Sequence, residues 1–171
     1  MNIVFISNED TARAPMACAF MKQLAIDKHL DLNATSAGIY VTDDEFPSDE
    51  VSYAAELLGV SIRSHSCSLM NEDILSKADL ILTMTSMNKS SVLNMLPDAY
   101  DKLYTLKEYV FSFKEDLPDD FYDGTSDIAV PRSGDVSHNI NCAAQIYYLV
   151  WSIANELSEH GEIVMKNTIL Q

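Results

Sequence analysis

The sequence predicts an α/β fold: a three-layer sandwich in which helices cover both faces of a four-stranded, parallel, doubly wound sheet. Short β-branched or apolar runs alternate with segments of helical periodicity along the chain. Residues 78–84 form an apolar run typical of a strand buried on both faces. With 171 residues, of which 47% are hydrophobic, the chain suffices for one well-packed core, so residues 1–171 are expected to form a single domain.

The first half of the chain predicts two strand–helix units. A strand over 2–7 precedes a polar loop and a helix that has Pro15 in its first turn, where a missing N–H costs nothing. The apolar residues of that helix recur at helical spacing: Ala17, Phe20, Met21, Leu24 and Ala25. A strand over 34–39 follows, and then a second helix that Gly59 closes.

The second half continues the alternation. Its predicted elements are a helix over 71–77, a strand over 78–84, a helix over 86–96, a strand over 102–106, a helix starting over 107–113 and a last helix over 139–157. Residues 114–138 are rich in Asp, Gly, Pro and Ser and exceed a typical connection, so this segment is either functional or mobile.

Charge and hydropathy exclude several classes of function. The chain has 11 Lys and Arg against 26 Asp and Glu, a formal charge of −15, which repels nucleic acid and anionic lipid. No stretch approaches the roughly 20 apolar residues of a membrane span. The N-terminus lacks the basic region of a signal peptide, so a cytoplasmic location is expected, with no nucleic-acid or membrane partner.

The cysteines and histidines give no metal-binding pattern. Cys18, Cys67 and Cys142 are far apart, with neither a C-x-x-C pair nor a His at ligand spacing. We expect reduced, structural thiols, and we expect His65 to hydrogen-bond a loop because no second ligand accompanies it in the sequence. No metal and no cofactor are predicted.

The loop after the first strand is the first place to look for a ligand, because ligands of such folds lie beyond the carboxyl ends of the strands. Here the segment from Phe5 to Ala17 resembles the signature of the low-molecular-weight protein tyrosine phosphatases: a Cys, five residues, then Arg-Ser-Pro-Met. Three further segments are similar to that family in the same order: Ser36 to Gly38, Ala78 to Met84 and Thr105 to Tyr109. The resemblance covers nearly the whole chain, is closest to the bacterial branch with the protein arginine phosphatases, and implies their flavodoxin-like sandwich.

The resemblance also implies a mechanism and a set of site residues. In the family a cysteine thiolate attacks phosphorus, backbone N–H groups and an arginine hold the phosphoryl oxygens, and an aspartic acid followed by proline protonates the leaving group. The corresponding anion-binding loop here would be Ser7, Asn8, Glu9, Asp10, Thr11, Ala12, Arg13 and Ala14. By the same resemblance Thr11 bears on whether phosphoarginine or phosphotyrosine fits, and simple loop packing is its alternative role.

The reactive groups depart from that pattern. Ser7 stands at the nucleophile position with no evident base, Ala14 replaces a serine, and Val130 stands at the general-acid position. Glu9 replaces a glycine, and its charge about 6 Å from another unit charge costs roughly 3 kcal/mol at an effective dielectric of about 20. Asp10 replaces an asparagine and is expected to add a second negative charge.

Two nearby carboxylates could in principle replace the missing acid. Asp127 and Asp135 flank Val130 by three and five residues, a shift that moves a carboxylate by several ångströms, so we do not expect either to substitute. We expect Arg13 instead to pair with Glu9 or Asp10, filling the place of a phosphate internally.

The sequence therefore favours a catalytically silent family member with a binding or regulatory role, whose partner would be a protein or a phosphoprotein. The alternative is a weak phosphomonoesterase acting on protein phosphotyrosine or phosphoarginine. Arsenate reduction needs a cysteine in the loop and resolving thiols that this chain does not match. Because Ser7, Glu9, Ala14 and Val130 depart together, natural loss is favoured over an engineered Cys→Ser exchange, which remains the alternative for Ser7 alone. The sequence predicts no oligomeric state.

Overall fold

The computed structural model of the chain describes residues 1–42, 45–114 and 124–163. The strands in this part of the chain are β1 (Asn2–Ser7), β2 (Asn33–Gly38), β3 (Leu80–Thr83) and β4 (Leu103–Thr105). They form one sheet in the order β2-β1-β3-β4, and every pairing is parallel. The predicted four-stranded parallel sheet is confirmed.

Helices pack on both faces of this sheet. They are α1 (Arg13–Asp27), α2 (Asp49–Glu56), α3 (Glu72–Lys77), α4 (Ser86–Met95), α5 (Leu106–Phe111) and α6 (Val136–His160). The core on one face joins the sheet to α1, α2, α5 and α6, and the core on the other face joins it to α3 and α4. The result is the three-layer sandwich that the sequence predicts.

The first strand lies in the middle of the sheet and is buried on both faces. Ile3 and Phe5 belong to the core beneath α1 and α6, whereas Val4 and Ile6 belong to the core beneath α3 and α4. Full burial of each such side chain contributes about 1.5–3 kcal/mol. The end of β1, from which the loop of interest departs, is therefore firmly anchored.

The carboxyl ends of neighbouring strands meet at one edge of the sheet. Ser7 pairs with Gly38 at the ends of β1 and β2, and Ile6 pairs with Thr83 at the end of β3. The β1–α1 loop lies at this edge, which is where the topology predicts a ligand site.

Element boundaries differ from the predictions in places. The last helix begins at Val136 instead of 139, because the Asp135 side chain accepts a hydrogen bond from His138 N at 2.9 Å and caps the helix. It extends to His160 and ends at Gly161, whose φ of 74° is the left-handed conformation that glycine tolerates. A short 3-10 helix over Pro97–Lys102 was not predicted.

Part of the predicted loop over 114–138, namely 115–123, falls outside the described residues. No helix in the described part of the chain combines the length and the apolar character needed to cross a membrane.

Candidate functional site in the loop between the first strand and the first helix

A small cavity of about 50 Å³ lies at the carboxyl edge of the sheet. The β1–α1 loop forms most of its wall, and the segment before α6 forms the rest. The lining residues are Ser7, Asn8, Glu9, Thr11, Ala12, Arg13, Val130 and Pro131. The structure thus brings together the predicted nucleophile position, the arginine and the predicted general-acid position, although 115 or more residues separate Val130 from the loop.

Two neighbouring elements fix the course of the loop. Its first carbonyls continue the pairing with β2, since Ile39 N donates to Ser7 O at 3.1 Å and Tyr40 N to Asn8 O at 2.8 Å. Gly38 lies so close that a Cβ there would stand 2.8 Å from Glu9 C and 2.9 Å from Asp10 N. Glycine at this position is required by the close approach of the two backbones.

The backbone amides of residues 9–14 are available to a ligand. Within the residues that the structure describes, no backbone amide of residues 9–14 donates a hydrogen bond to another protein group. Helix α1 starts without a side-chain cap at Ala12 and without an acidic residue in its first turn. A helix N-terminus of this kind attracts negative charge through its orphan amides and its dipole.

Arg13 is buried and held against the segment that leads to Val130. Its side chain is only 5% exposed, and Nη1 donates a hydrogen bond to Ile128 O at 2.8 Å. Burial lowers the pKa of the guanidinium, an effect that nearby Cys142, Glu9 and Asp127 partly oppose. An arginine stays charged under such a shift, so Arg13 supplies a fixed positive charge at the wall of the cavity.

The expected ion pair of Arg13 with Glu9 or Asp10 is not formed, and that prediction was wrong. Asp10 has a left-handed backbone with φ of 55°, and its fully buried carboxylate turns away from the cavity. There Oδ2 accepts a hydrogen bond from Ser68 N at 3.0 Å and lies 2.9 Å from His65 Nε2. Glu9 lines the cavity without contacting the guanidinium within ion-pair distance in the described structure.

The negative charge at the cavity is accordingly smaller than expected. Asp10 is not a lining residue, so the second repulsive charge predicted for this position does not face the site. Ala14 is fully buried and does not line the cavity either. Glu9 alone brings a carboxylate to the wall.

The segment before α6 is held by hydrogen bonds to the end of β3 and to α6 itself. Ile128 N donates to Met84 O at 2.8 Å, and the Cys142 thiol donates to Ala129 O at 3.3 Å. His138 Nε2 lies 2.9 Å from Val130 O. These contacts place Val130 beside the β1–α1 loop, at the position where the family resemblance implies an acid. Val130 is 60% exposed.

The two neighbouring aspartates bond to backbone amides at the starts of helices. Asp127 accepts a hydrogen bond from Ser86 N at 2.7 Å at the start of α4, and Asp135 caps α6. Both lie outside the cavity lining. Both carboxylates are engaged at helix termini, and that neither substitutes for the acid stays a prediction.

The Cys142 thiol interacts electrostatically with Arg13. Burial raises the pKa of this thiol to about 11, although Arg13 opposes the shift. The thiol donates to a backbone carbonyl and is not a lining residue of the cavity. It therefore remains protonated near neutral pH, where the thiolate is the nucleophilic form.

Sequence reasoning missed two contacts that stabilise the loop. Asn88 of α4, fully buried, donates from Nδ2 to Asn8 Oδ1 at 2.6 Å. On the far side of the loop, Cys67 donates to Asp10 O at 3.1 Å, and the ligand atoms of Asp10, His65 and Cys67 lie within 4.8 Å of one another. The expectation that His65 bonds a loop agrees with the geometry, and the fold places two further potential ligand atoms beside it that the sequence did not indicate. Only the fold brings these positions together.

Comparison with known proteins gives consistent results. The family model for low molecular weight phosphotyrosine protein phosphatase matches residues 2–141. A protein-arginine-phosphatase of Bacillus subtilis (strain 168) is 32% identical over 121 residues, which are 71% of this chain and 80% of that protein.

Solved structures show the same likeness. A YwlE mutant from Bacillus subtilis superposes with a TM-score of 0.79 at 26% identity, covering 92% of this chain and 98% of that one. A cysteine-to-serine mutant of YwlE arginine phosphatase with a phosphorylated active-site serine gives a TM-score of 0.80 at 26% identity, covering 94% and 97%.

Proposed function

The chain belongs to the low-molecular-weight phosphotyrosine protein phosphatase family, and within it we propose a catalytically silent member that binds a phosphorylated protein, or another protein partner, without turning it over. The carrying observation is the composition of the cavity. Ser7 takes the nucleophile position, Val130 takes the acid position, and Glu9 and Arg13 are the only charged side chains among the lining residues.

The chemistry of Ser7 supports the loss of turnover. An alcohol is a weak nucleophile unless a base removes its proton, and the lining residues include no histidine, cysteine or lysine. Without an acid at Val130, the leaving group would depart unprotonated. General acid catalysis typically contributes about 10²- to 10⁴-fold in rate, so its loss alone is severe.

The binding role rests on what the site retains. Arg13 does not pair with Glu9 or Asp10, and the amides of residues 9–14 are not used by the described protein groups. An anion would gain hydrogen bonds from both. This support is stronger than the sequence suggested, because an internal ion pair had been expected to fill the site.

A steady-state assay with an aryl phosphate tests the proposal. We expect the rate for the unaltered protein to equal that of Arg13→Ala, because no step depends on the loop. A rate that clearly exceeds background and that Arg13→Ala abolishes would overturn the proposal. Lys22→Ala, which removes an exposed cation elsewhere on α1, is the matched control.

A second candidate is a weak phosphomonoesterase acting on phosphotyrosine or phosphoarginine. It is favoured by the structure of the YwlE mutant, where the serine in the active site of that protein is phosphorylated. In this chain the corresponding step would form a bond from Ser7 Oγ to phosphorus while the phosphorus–leaving-group bond breaks and the hydroxyl proton passes to solvent. Thr11, which lines the cavity, would contact the leaving group.

Intact-mass measurement separates the two candidates. Incubation with an aryl phosphate or with phosphoarginine should leave the mass unchanged if the protein only binds. One added phosphoryl group that Ser7→Ala removes would favour the phosphomonoesterase. Ser68→Ala controls for phosphorylation of another serine near the loop.

The proposal includes a cytoplasmic location. All three cysteines are free thiols, which a reducing compartment preserves. Fractionation with an antibody to the unaltered protein checks this part directly.

A further inference from the structure

The far side of the β1–α1 loop carries a cluster of three potential metal ligands. Asp10 belongs to the loop itself, whereas His65 and Cys67 precede α3. One ligand atom from each, a carboxylate oxygen, an imidazole nitrogen and the thiol sulfur, lie within 4.8 Å of one another. We propose that Asp10, His65 and Cys67 form a binding site for a divalent cation of the zinc class.

The donor set matches that class of metal. Zinc in proteins takes carboxylate oxygen, imidazole nitrogen and thiolate sulfur at about 2.0–2.3 Å, usually in tetrahedral geometry. Such bond lengths place the ligand atoms about 3.3–3.5 Å apart, whereas the three atoms here lie within 4.8 Å of one another. The 2.9 Å separation of Asp10 Oδ2 and His65 Nε2 needs to widen by only a few tenths of an ångström.

A buried carboxylate oxygen without a hydrogen-bond partner independently favours a cation beside Asp10. Asp10 is fully buried, and its Oδ1 has no hydrogen-bond partner among the described residues. Close by, the buried Oε2 of Glu45 also lacks a partner in the described structure. Burying a carboxylate oxygen without a partner costs free energy, and a cation removes that cost.

Cys67 lies against the backbones of both acidic residues. The thiol donates to the carbonyls of Asp10 at 3.1 Å and of Glu45 at 3.2 Å. Burial raises the pKa of the thiol, and the charges of Asp10 and Glu45 raise it further. When a metal–sulfur bond forms, the thiol proton leaves to the buffer, and the dication offsets both negative charges.

A metal ion can reach the site from solvent because two of the three ligand residues are partly exposed. The side chain of His65 is 21% exposed, and Cys67 is half-buried. With three protein ligands, the fourth position is left to water or to a movement of Glu45. The site differs from the cavity with Ser7 and Arg13, because Asp10 does not line that cavity.

A bound cation would act on the loop through Asp10. This residue holds the left-handed turn at φ of 55° in the middle of the segment. Coordination of its carboxylate would fix the turn and with it the neighbouring amides. Metal occupancy would in this way tune the binding site on the opposite side of the same loop, whatever that site binds.

Titration of the full-length, metal-free protein with Co²⁺ and then Zn²⁺ tests the proposal. We expect one equivalent of Co²⁺ to bind and to produce the absorption band of a thiolate-to-cobalt charge transfer, which Zn²⁺ then displaces. Cys67→Ser should abolish the band, and His65→Gln should weaken affinity at least about 100-fold, the upper end of the effect of residues that merely support metal ligands.

Matched variants control for trivial outcomes. Cys18→Ser alters another buried thiol that donates to a carbonyl, and His160→Gln alters an exposed histidine, and neither should change binding. Circular dichroism and thermal melts of Cys67→Ser verify that the variant folds. If it does not fold, Glu45→Gln, expected to weaken affinity about tenfold through lost charge, takes its place as the test.

Two results would overturn the proposal. Absence of any charge-transfer band would show that Asp10 and His65 form only a structural hydrogen-bonded pair. Weak, multiple and salt-sensitive binding that persists unchanged in Cys67→Ser would show that the acidic surface, with a net charge of −15, collects the metal. Neither result bears on phosphatase activity, so the two proposals fail separately.

Discussion

The two sides of the β1–α1 loop differ in the chemistry they carry. The side facing the cavity has kept the arginine and the free amides, but presents a serine and a valine where the family resemblance places reactive groups. The opposite side gathers a carboxylate, an imidazole and a thiol within 4.8 Å. One loop backbone thus presents different chemical groups on its two sides.

The course of the β1–α1 loop is fixed by contacts that do not involve Ser7 or Val130. Gly38 admits the loop backbone, Asn88 holds Asn8, and Ser68 N holds the Asp10 carboxylate. None of these contacts depends on which residue occupies position 7 or 130. The residues at positions 7 and 130 therefore do not determine the course of the loop.

The largest effect is expected from restoring the cavity side. Ser7→Cys combined with Glu9→Gly and Val130→Asp should raise aryl phosphate hydrolysis at least about 1,000-fold, since a positioned acid alone is worth about 10²- to 10⁴-fold. Initial rates measure the gain. Adding Arg13→Ala to the same variant should return the rate to background, and no gain at all would show that the loop geometry has drifted.

Gly38→Val should disturb both sides of the loop at once. A Cβ at this position stands 2.8 Å from Glu9 C, and overpacking of that kind costs about 1–3 kcal/mol. Urea unfolding should show the loss of stability, and phosphate binding and cobalt binding should weaken together. Gly59→Ala meets no atom within 4 Å but is strained by its φ of 90°, so it should lower stability without weakening either kind of binding. Selective loss of only one kind of binding in Gly38→Val would contradict the shared scaffold.

Glu9→Gln should affect the cavity side alone. Removing the charge should tighten the binding of inorganic phosphate, because the carboxylate repels the anion. We expect a gain of about tenfold at low salt, since solvent at this exposed position screens much of the roughly 3 kcal/mol of an unscreened pair. Isothermal titration at two salt concentrations measures the change. Cobalt binding should stay the same, and an equal effect on both ligands would argue against separate sides.

Cys142 should show a small, pH-dependent effect on stability. Its folded pKa of about 11 lies above that of an unfolded thiol, so the unfolded chain loses this proton first as pH rises. Titration of the Cys142 thiol leaves the free energy of unfolding unchanged at neutral pH. It lowers that free energy as pH rises from about 8.5 toward 11, by about 1–2 kcal/mol at pH 10. Comparing urea unfolding of the unaltered protein and Cys142→Ala at pH 7.5 and pH 10 isolates the effect; an unchanged difference between the two pH values would contradict it.

The sequence alone was enough to predict the parallel sheet and the position of the β1–α1 loop. Periodicity identified β1 and α1, and the parallel topology located the loop between them at the edge where strands end. These features follow from local patterns and from chain order, which a single sequence contains.

The partners of individual side chains could not be predicted in the same way. The sequence predicted that Arg13 pairs with Glu9 or Asp10 in the place of a phosphate, but the left-handed turn at Asp10 directs its carboxylate to His65 and Ser68 instead. Arg13 bonds Ile128 O, a backbone atom 115 positions away. Neither contact has a local sequence signal, because each depends on how distant loops meet at the edge of the sheet.

The central claim is that the amides and Arg13 still form an anion site that lacks a nucleophile. Two-dimensional ¹H–¹⁵N NMR of the protein during incubation with an aryl phosphate tests both parts in one sample. We expect the amide signals of residues 9–14 to shift on addition while the aryl phosphate remains intact. Steady release of the free phenol, or amide signals that do not respond, would contradict it.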